Sequence, residues 1–487
     1  MLSRSGGGAF PPLPPPSYHV PERHERSDAR ITDNRAHTGT RVPTRPQEVP
    51  MHSSDPLQPL AISSSSRHLT RADGTPFFWL GDTAWELFHR LSREEACHYL
   101  DTRARQGFNV IQAVALAEMD GLTEPNAHGR LPLLRREGNH GYGDIEPDLT
   151  GPCSYWDHVD YIIDQAARRG LYIALLPTWG DKVNRLWGKG PEIFDGGTGR
   201  RYGQFIGARY AGYANVIWVL GGDRRLETRR QHEAIAGMAV GIRQAGARQL
   251  MTYHPAGGSS SSEQLHEESW LDFNMFQSGH SRRNDPNYEY VRKDCSLSPV
   301  KPTLEAEPRY EDHPVNFDAQ NGYFDAADVR QALYWAVFAG SAGVTYGHHS
   351  VWRMVREPSD YFPLTWERAL ERPGASQVQW LRRLCESRPL LERREAPELL
   401  ASNGTGANVQ IAARGERYAF IYTPNGLGID IAPGILPGGC LEAAWFSPRS
   451  GETTAIGTIE NRSAAPKLRP PTTGRGEDWV LRLDSAD

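Results

Sequence analysis

Short apolar runs alternate along this chain with longer segments whose apolar positions recur every three or four residues. Val216 to Leu220 are all apolar, bounded by Asn215 before and by Gly221 and Gly222 after, and the run leads into Asp223. A run that short between turn residues predicts a strand buried on both faces. Seven further segments share its texture: FFWLGDTAW (77–85), NVIQAVAL (109–116), LYIALLPTW (171–179), QLMTYHP (249–255), DFNMFQSGH (272–280), VKPTLEAEP (300–308) and GVTYGHH (343–349). Between them, helical spacing predicts helices from Ser92 to near Gly107 and over 155–170, 201–214, 228–247, the stretch containing YEYVRKD, 326–343 and 375–387. Ser92 with Glu95 three positions on forms a capping box that starts the first of these.

Eight such units predict a (β/α)8 TIM barrel over 57–389, entered through a hairpin that turns at Asp73 and Gly74. A doubly wound open sheet is the rival, disfavoured because no GxGxxG turn follows the first strand. The polar insert after 116, up to about Pro152, is expected to lie over the carboxyl end of the barrel. Beyond Pro389, NVQIAAR, RYAFIYT, LEAAWFS and WVLRLD are short alternating runs separated by turn residues. They predict a small antiparallel β-sandwich over 390–487. Residues 1–56, rich in Pro, Arg, His, Ser and Gly, lack apolar periodicity and are expected to be a disordered tail.

Charge adds little: 54 basic against 59 acidic residues give a formal net charge of −5. That balance gives no reason to expect a nucleic acid or a charged membrane as partner. No stretch has the roughly 18 apolar residues that span a bilayer, and no secretory signal is recognisable, so a cytoplasmic or non-classically exported protein is expected. The five cysteines are an odd, scattered set without CxxC spacing, which favours reduced thiols. Thirteen Trp and nineteen Tyr are a supply of flat rings that suits sugar faces as well as cores.

The predicted strand ends carry Asp82, Trp85, Gln112, Trp179, Asp223, His254, Gln277, His280, Glu307, His348 and His349. Side chains from several strand ends meet at one mouth in this fold. Two carboxylates on separate strands, with aromatics and no metal or phosphate motif, suit glycoside hydrolysis, with Asp223 as acid/base and Glu307 as nucleophile of a retaining enzyme. Glu305 competes with Glu307, since a period of two places it on the same face one layer deeper, and Glu311 beside Tyr310 is a weaker competitor. The alternatives are a non-catalytic carbohydrate-binding or scaffold barrel, and a metal-dependent hydrolase using Asp82, His254 and His348. No HxH or HExxH spacing supports the last, so no metal and no cofactor are expected.

DGTPFFWLGDTAW (73–85), FNVIQ (108–112), YWDHVDYIIDQAARRGLYIALLPTWG (155–180), VIWVLGGD (216–223), KPTLEAEPRYE (301–311) and VRQALYW (329–335) together resemble the apiosidase-like glycoside hydrolase family, a relative of the large retaining (β/α)8 hydrolase clan. The terminal domain resembles the collagen-binding-type β domain that accompanies this family. The resemblance implies removal of a branched pentose such as apiose from pectic oligosaccharides. It also implies Asp223 and Glu307 as acid/base and nucleophile, although the wider clan has Asn-Glu where this chain has Gly222-Asp223. Asp82, Trp85, Gln112, Trp179, His254, Gln277, Tyr310, His348 and His349 are then expected to line the sugar pocket.

Overall fold

The computed structural model describes residues 57–434, 436–461 and 467–486. The expected tail, 1–56, lies outside the described residues. Eight parallel strands form the barrel: β1 (Trp79–Thr83), β2 (Val110–Leu116), β3 (Tyr172–Thr178), β4 (Val216–Gly221), β5 (Met251–His254), β6 (Asn274–Gln277), β7 (Thr303–Glu305) and β8 (Gly343–Tyr346). Neighbours hydrogen-bond in the order β5, β4, β3, β2, β1, β8, β7, β6. The ends of that series meet where Asp272 N donates to Met251 O at 2.8 Å and Thr252 Oγ1 to Phe273 O at 2.6 Å. The pair Ser259–Ser260 adds an antiparallel edge to β6.

A helix follows each strand: α1 (Arg93–Arg105), α2 (Tyr155–Arg168), α3 (Gly196–Tyr210), α4 (Arg229–Gln244), the single turn α5 (Ser262–Leu265), α6 (Tyr288–Cys295), α7 (Ala326–Phe338) and α8 (Gln379–Glu386). The Ser92 and Glu95 capping box is present at α1. α3 begins five residues before its expected start. Asp195 caps it by accepting from Gly197 N and Thr198 N, which turns a glycine-rich stretch that reads as loop into a first helical turn. Its glycines serve packing: a Cβ on Gly203 would lie 2.3 Å from Met238 O of α4.

Strand side chains divide by parity. Trp79, Val110, Val114, Ala174, Leu176, Ile217, Val219, Met275 and Leu304 fill the barrel interior. Ile111, Leu175 and Trp218 face one part of the helical layer, and Leu80, Phe276 and Val344 another. Any polar residue at a strand end is therefore assigned to the mouth or to the helices by its parity.

The chain after the barrel forms one six-stranded antiparallel sheet, β9 (Arg394–Glu395), β10 (Ile411–Arg414), β11 (Tyr418–Thr423), β12 (Cys440–Phe446), β13 (Thr453–Glu460) and β14 (Trp479–Ser485), ordered β9-β10-β11-β14-β12-β13. One face packs on α7, where Tyr334 stacks on Tyr422 at 4.8 Å and Arg330 pairs with Asp478 at 2.6 Å. Among the described residues no second regular sheet forms, and Ala396, Leu399, Ile429, Ile431 and Leu436 cover the other face. The segment between β11 and β12 holds Pro424, Gly426, Gly428, Pro433 and Pro437, which suit turns rather than a ladder. The five cysteines are free thiols. Among the described residues no helix is long and apolar enough to cross a membrane.

Candidate active site

At the end of β4 the chain passes under Trp179 and against Tyr253. A Cβ on Gly222 would lie 2.8 Å from the Trp179 ring, and one on Gly221 2.6 Å from the Tyr253 ring. Gly221 and Gly222 have positive φ (89° and 116°), and Asp223 itself is held at φ 53°. A non-glycine residue in that region stores strain, which surrounding contacts must impose. Here Arg224 imposes it, donating to Asp223 O at 3.0 Å and to Asn184 O at 2.7 Å while Tyr253 OH donates to Arg224 O at 2.8 Å.

His254 ends β5 on the interior face and is fully buried. Its Nδ1 is 3.9 Å from Asp223 Oδ1, and its Nε2 is 3.3 Å from Glu307 Oε2. Glu307 lies two residues past the end of β7. Its Oε1 is 3.1 Å from His280 Nε2, and His280 Nδ1 accepts from Tyr310 N at 3.4 Å. A backbone N–H can only donate, so Nδ1 carries no proton and Nε2–H is the donor to Glu307. Donor atoms of Asp223, His254 and Glu307 all lie within 4.8 Å of one another. Two carboxylate oxygens and an imidazole nitrogen at that spacing are also a set that a divalent metal could use.

The two carboxyls are driven apart electrostatically. Burial, then the charge of Glu307, pushes Asp223 up to about 6, with His254 and Arg224 opposing. Burial also acts upward on Glu307, but His254 and His280 outweigh it and hold Glu307 down at about 2. For His254 burial acts downward, and the adjacent Glu307 and Asp223 reverse it to a net rise. The arrangement offers a proton donor and an ionised carboxylate across a gap of a few ångströms.

Aromatic rings wall this centre. Trp85 lies 5.2 Å edge-on to His254 and 5.1 Å from Trp179, and Tyr310 lies 4.4 Å from His280. Gln112 donates from Nε2 to Ala306 O at 3.0 Å, fixing the turn that presents Glu307. Gln277 is buried at the interior end of β6.

Five residues are placed elsewhere. Asp82 has outward parity and is fully buried against α1, bound by Arg103 Nε at 2.7 Å and by Tyr99 OH, so it does not reach the mouth. His348 is tied to Asp312 at 3.0 Å and accepts from Ser350 N at 2.9 Å, which makes it a pin between the loop after β8 and the loop after β7. His349 contacts Tyr361 O at 2.9 Å and reaches the centre through His313, 4.6 Å away, which stacks on His280 at 4.2 Å. Glu305, expected to share the face of Glu307, does not. β7 ends at Glu305 and the chain turns, so parity is lost before Glu307. Glu305 points outward, accepting from Ser278 N and Asn287 Nδ2, each at 3.1 Å, and burial pushes it up to about 7. Glu311 is engaged by Tyr346 OH at 2.6 Å and Gly374 N at 3.1 Å.

Sequence reading missed the role of His280 beside Glu307. It also passed over Glu118, a carboxyl at the start of the insert that burial and then the charges of Glu86, Asp181 and Asp223 push up to about 8. Nothing in the spacing of either residue announced it.

The family model described as "Apiosidase-like, catalytic domain" matches residues 63–392. The model described as "Putative collagen-binding domain of a collagenase" matches 396–484. Among solved structures, a glycoside hydrolase family 5 protein from Bacteroides vulgatus is 31% identical with a TM-score of 0.80, over 88% of this chain and 93% of that one. Another, described as a glycoside hydrolase, is 32% identical with a TM-score of 0.80, over 88% of this chain and 97% of that one. No curated protein matches the chain.

Proposed function

Because this chain belongs to the apiosidase-like family of glycoside hydrolases, we propose that it is a retaining, exo-acting glycosidase that removes a terminal pentose such as apiose from plant cell-wall, pectic oligosaccharides. Residues 57–389 carry the chemistry in this reading, and 390–487 are an accessory domain packed on α7. Glu307 is the nucleophile and Asp223 the acid/base. Glu307 Oε2 attacks the anomeric carbon while Asp223 gives its proton to the departing oxygen, leaving a glycosyl-enzyme ester. Asp223 then takes a proton from water, the water attacks the same carbon, and Glu307 is released.

One observation carries this reading: the two carboxyls reach within 4.8 Å of each other, Asp223 pushed up to about 6 and Glu307 held at about 2. A retaining pair stands roughly 5–5.5 Å apart, whereas an inverting pair needs roughly 6.5–9.5 Å to admit a water. Neutral acid and ionised nucleophile are the states the first step requires. Trp85, Trp179 and Tyr310 wall the centre, and the 5% exposure of Glu307 suits a pocket closed around one terminal residue.

The test is turnover of a panel of aryl pentofuranosides and pectic oligosaccharides, with the first product followed by 1H NMR. The expected result is release of a single terminal pentose in the configuration it had in the substrate. An inverted first product, or release of internal fragments, would overturn the retaining exo reading.

A further inference from the structure

Leu186 and Trp187 stand 51% and 41% exposed on the loop that follows β3. The loop is not a loose one. Lys182 pairs with Asp181 at 2.7 Å and donates to Ala117 O at 2.6 Å, both side chains being fully buried. Asp181 accepts from Gly190 N at 3.0 Å, and Glu192 accepts from Arg185 N at 2.8 Å. Leu186 is held at a φ of 40°, a conformation that disfavours a branched side chain. A fixed loop that keeps two large apolar side chains in water, one of them on strained backbone, is a surface shaped for a ligand.

The position of Trp187 indicates which ligand. The Arg224 guanidinium lies 4.0 Å from the centre of its ring, so one face of the indole is already covered. The same guanidinium donates to Asp223 O at 3.0 Å and to Arg185 O at 3.3 Å. One side chain thus holds both the aromatic ring and the backbone of the residue whose carboxyl is assigned to protonate the departing oxygen. The two loops touch closely enough that a Cβ on Gly180 would lie 2.1 Å from Gly222 O. Trp187 and Asp223 are thus tied to the same part of the rim through Arg224.

We propose that Trp187 is the platform of a leaving-group subsite, stacking on a ring-shaped aglycone, a sugar or an aromatic, attached to the scissile oxygen. Arg224 pre-orients the indole, so little side-chain freedom is lost when the second ring arrives. The inference rests on the assignment of Asp223 as the acid. It goes beyond that assignment by naming the side chain that receives the ring on the leaving side.

The experiment compares kcat/KM on paired methyl and 4-nitrophenyl pentofuranosides for wild type, Trp187→Ala and Trp187→Phe. The ratio of nitrophenyl to methyl kcat/KM is expected to fall about five- to tenfold in Trp187→Ala, the worth of one ring stack, and to stay near the wild-type value in Trp187→Phe. The change is expected mainly in KM. An unchanged ratio, or equal loss on both glycosides, overturns the subsite while leaving the hydrolase reading intact. A wild type inert across the whole panel removes the hydrolase reading and the subsite with it.

Discussion

His280 donates from Nε2 to Oε1 of Glu307 at 3.1 Å, in a tautomer fixed by the Tyr310 N–H on its other nitrogen. One oxygen of the carboxylate is thereby occupied from behind, and Oε2 faces His254 and the gap toward Asp223. A hydrogen bond to a charged group contributes about 1.5–3 kcal/mol. Replacing His280 by Ala is expected to lower kcat about 10- to 100-fold and to move the acid limb of the pH profile upward, since Glu307 loses a group that holds its pKa down. Steady-state kinetics from pH 3 to 8 check this. An unmoved acid limb would show that His280 is only a packing residue.

The pH profile of the wild type follows from the two carboxyls as a coupled pair. Asp223, raised to about 6, must begin protonated, and Glu307, lowered to about 2, must begin ionised. The free-enzyme profile, kcat/KM against pH, is expected to be level at moderately acidic pH, to fall about tenfold per unit above the Asp223 limb near 6, and to fall again toward 2. Asp223→Asn is expected to abolish the alkaline limb along with most activity. Substrates with good leaving groups should suffer least.

Parity separates structural from chemical carboxylates. Asp82→Asn breaks a buried ion pair with Arg103, and such breakage costs about 3–5 kcal/mol. Glu305→Gln sets an amide against the Asn287 amide it now accepts from, costing about 1–3 kcal/mol. Both variants should show lower urea midpoints, with kcat of the folded protein within about tenfold of wild type. A loss of turnover in Glu305→Gln on the scale expected for Glu307 would reverse the assignment.

The eight strands and their order were readable because each is a short apolar run between turn residues, and that pattern is local. Which polar residue reaches the mouth depends on where a strand stops, and propensity sets strand ends poorly. VKPTLEAEP reads as a nine-residue strand that keeps Glu305 and Glu307 in phase, yet only Thr303–Glu305 remains in the ladder. A place at a strand end points Asp82 to the mouth, but Trp79 lies on the interior face and so puts Asp82 on the opposite parity. The contact of His280 with Glu307 joins residues 27 apart through two loop conformations, which no spacing encodes. The early start of α3 was hidden because its glycines serve helix packing rather than a turn.

Metal dependence gives a further test, because the donor atoms of Asp223, His254 and Glu307 lie within 4.8 Å of one another. If these residues act as acid, bridge and nucleophile, exhaustive dialysis against EDTA is expected to leave kcat/KM unchanged, and added zinc should inhibit by occupying them. Activity lost on dialysis and restored by a divalent metal would assign them as ligands instead.

The central claim is that Glu307 carries the bond-forming carboxylate, and the turnover number of Glu307→Gln on a glycoside the wild type hydrolyses tests it most directly. Removing the nucleophile while keeping its shape is expected to lower kcat by about a thousandfold or more, in a protein whose melting temperature stays within about 3 °C of wild type. Turnover at the wild-type rate in that variant would contradict the account.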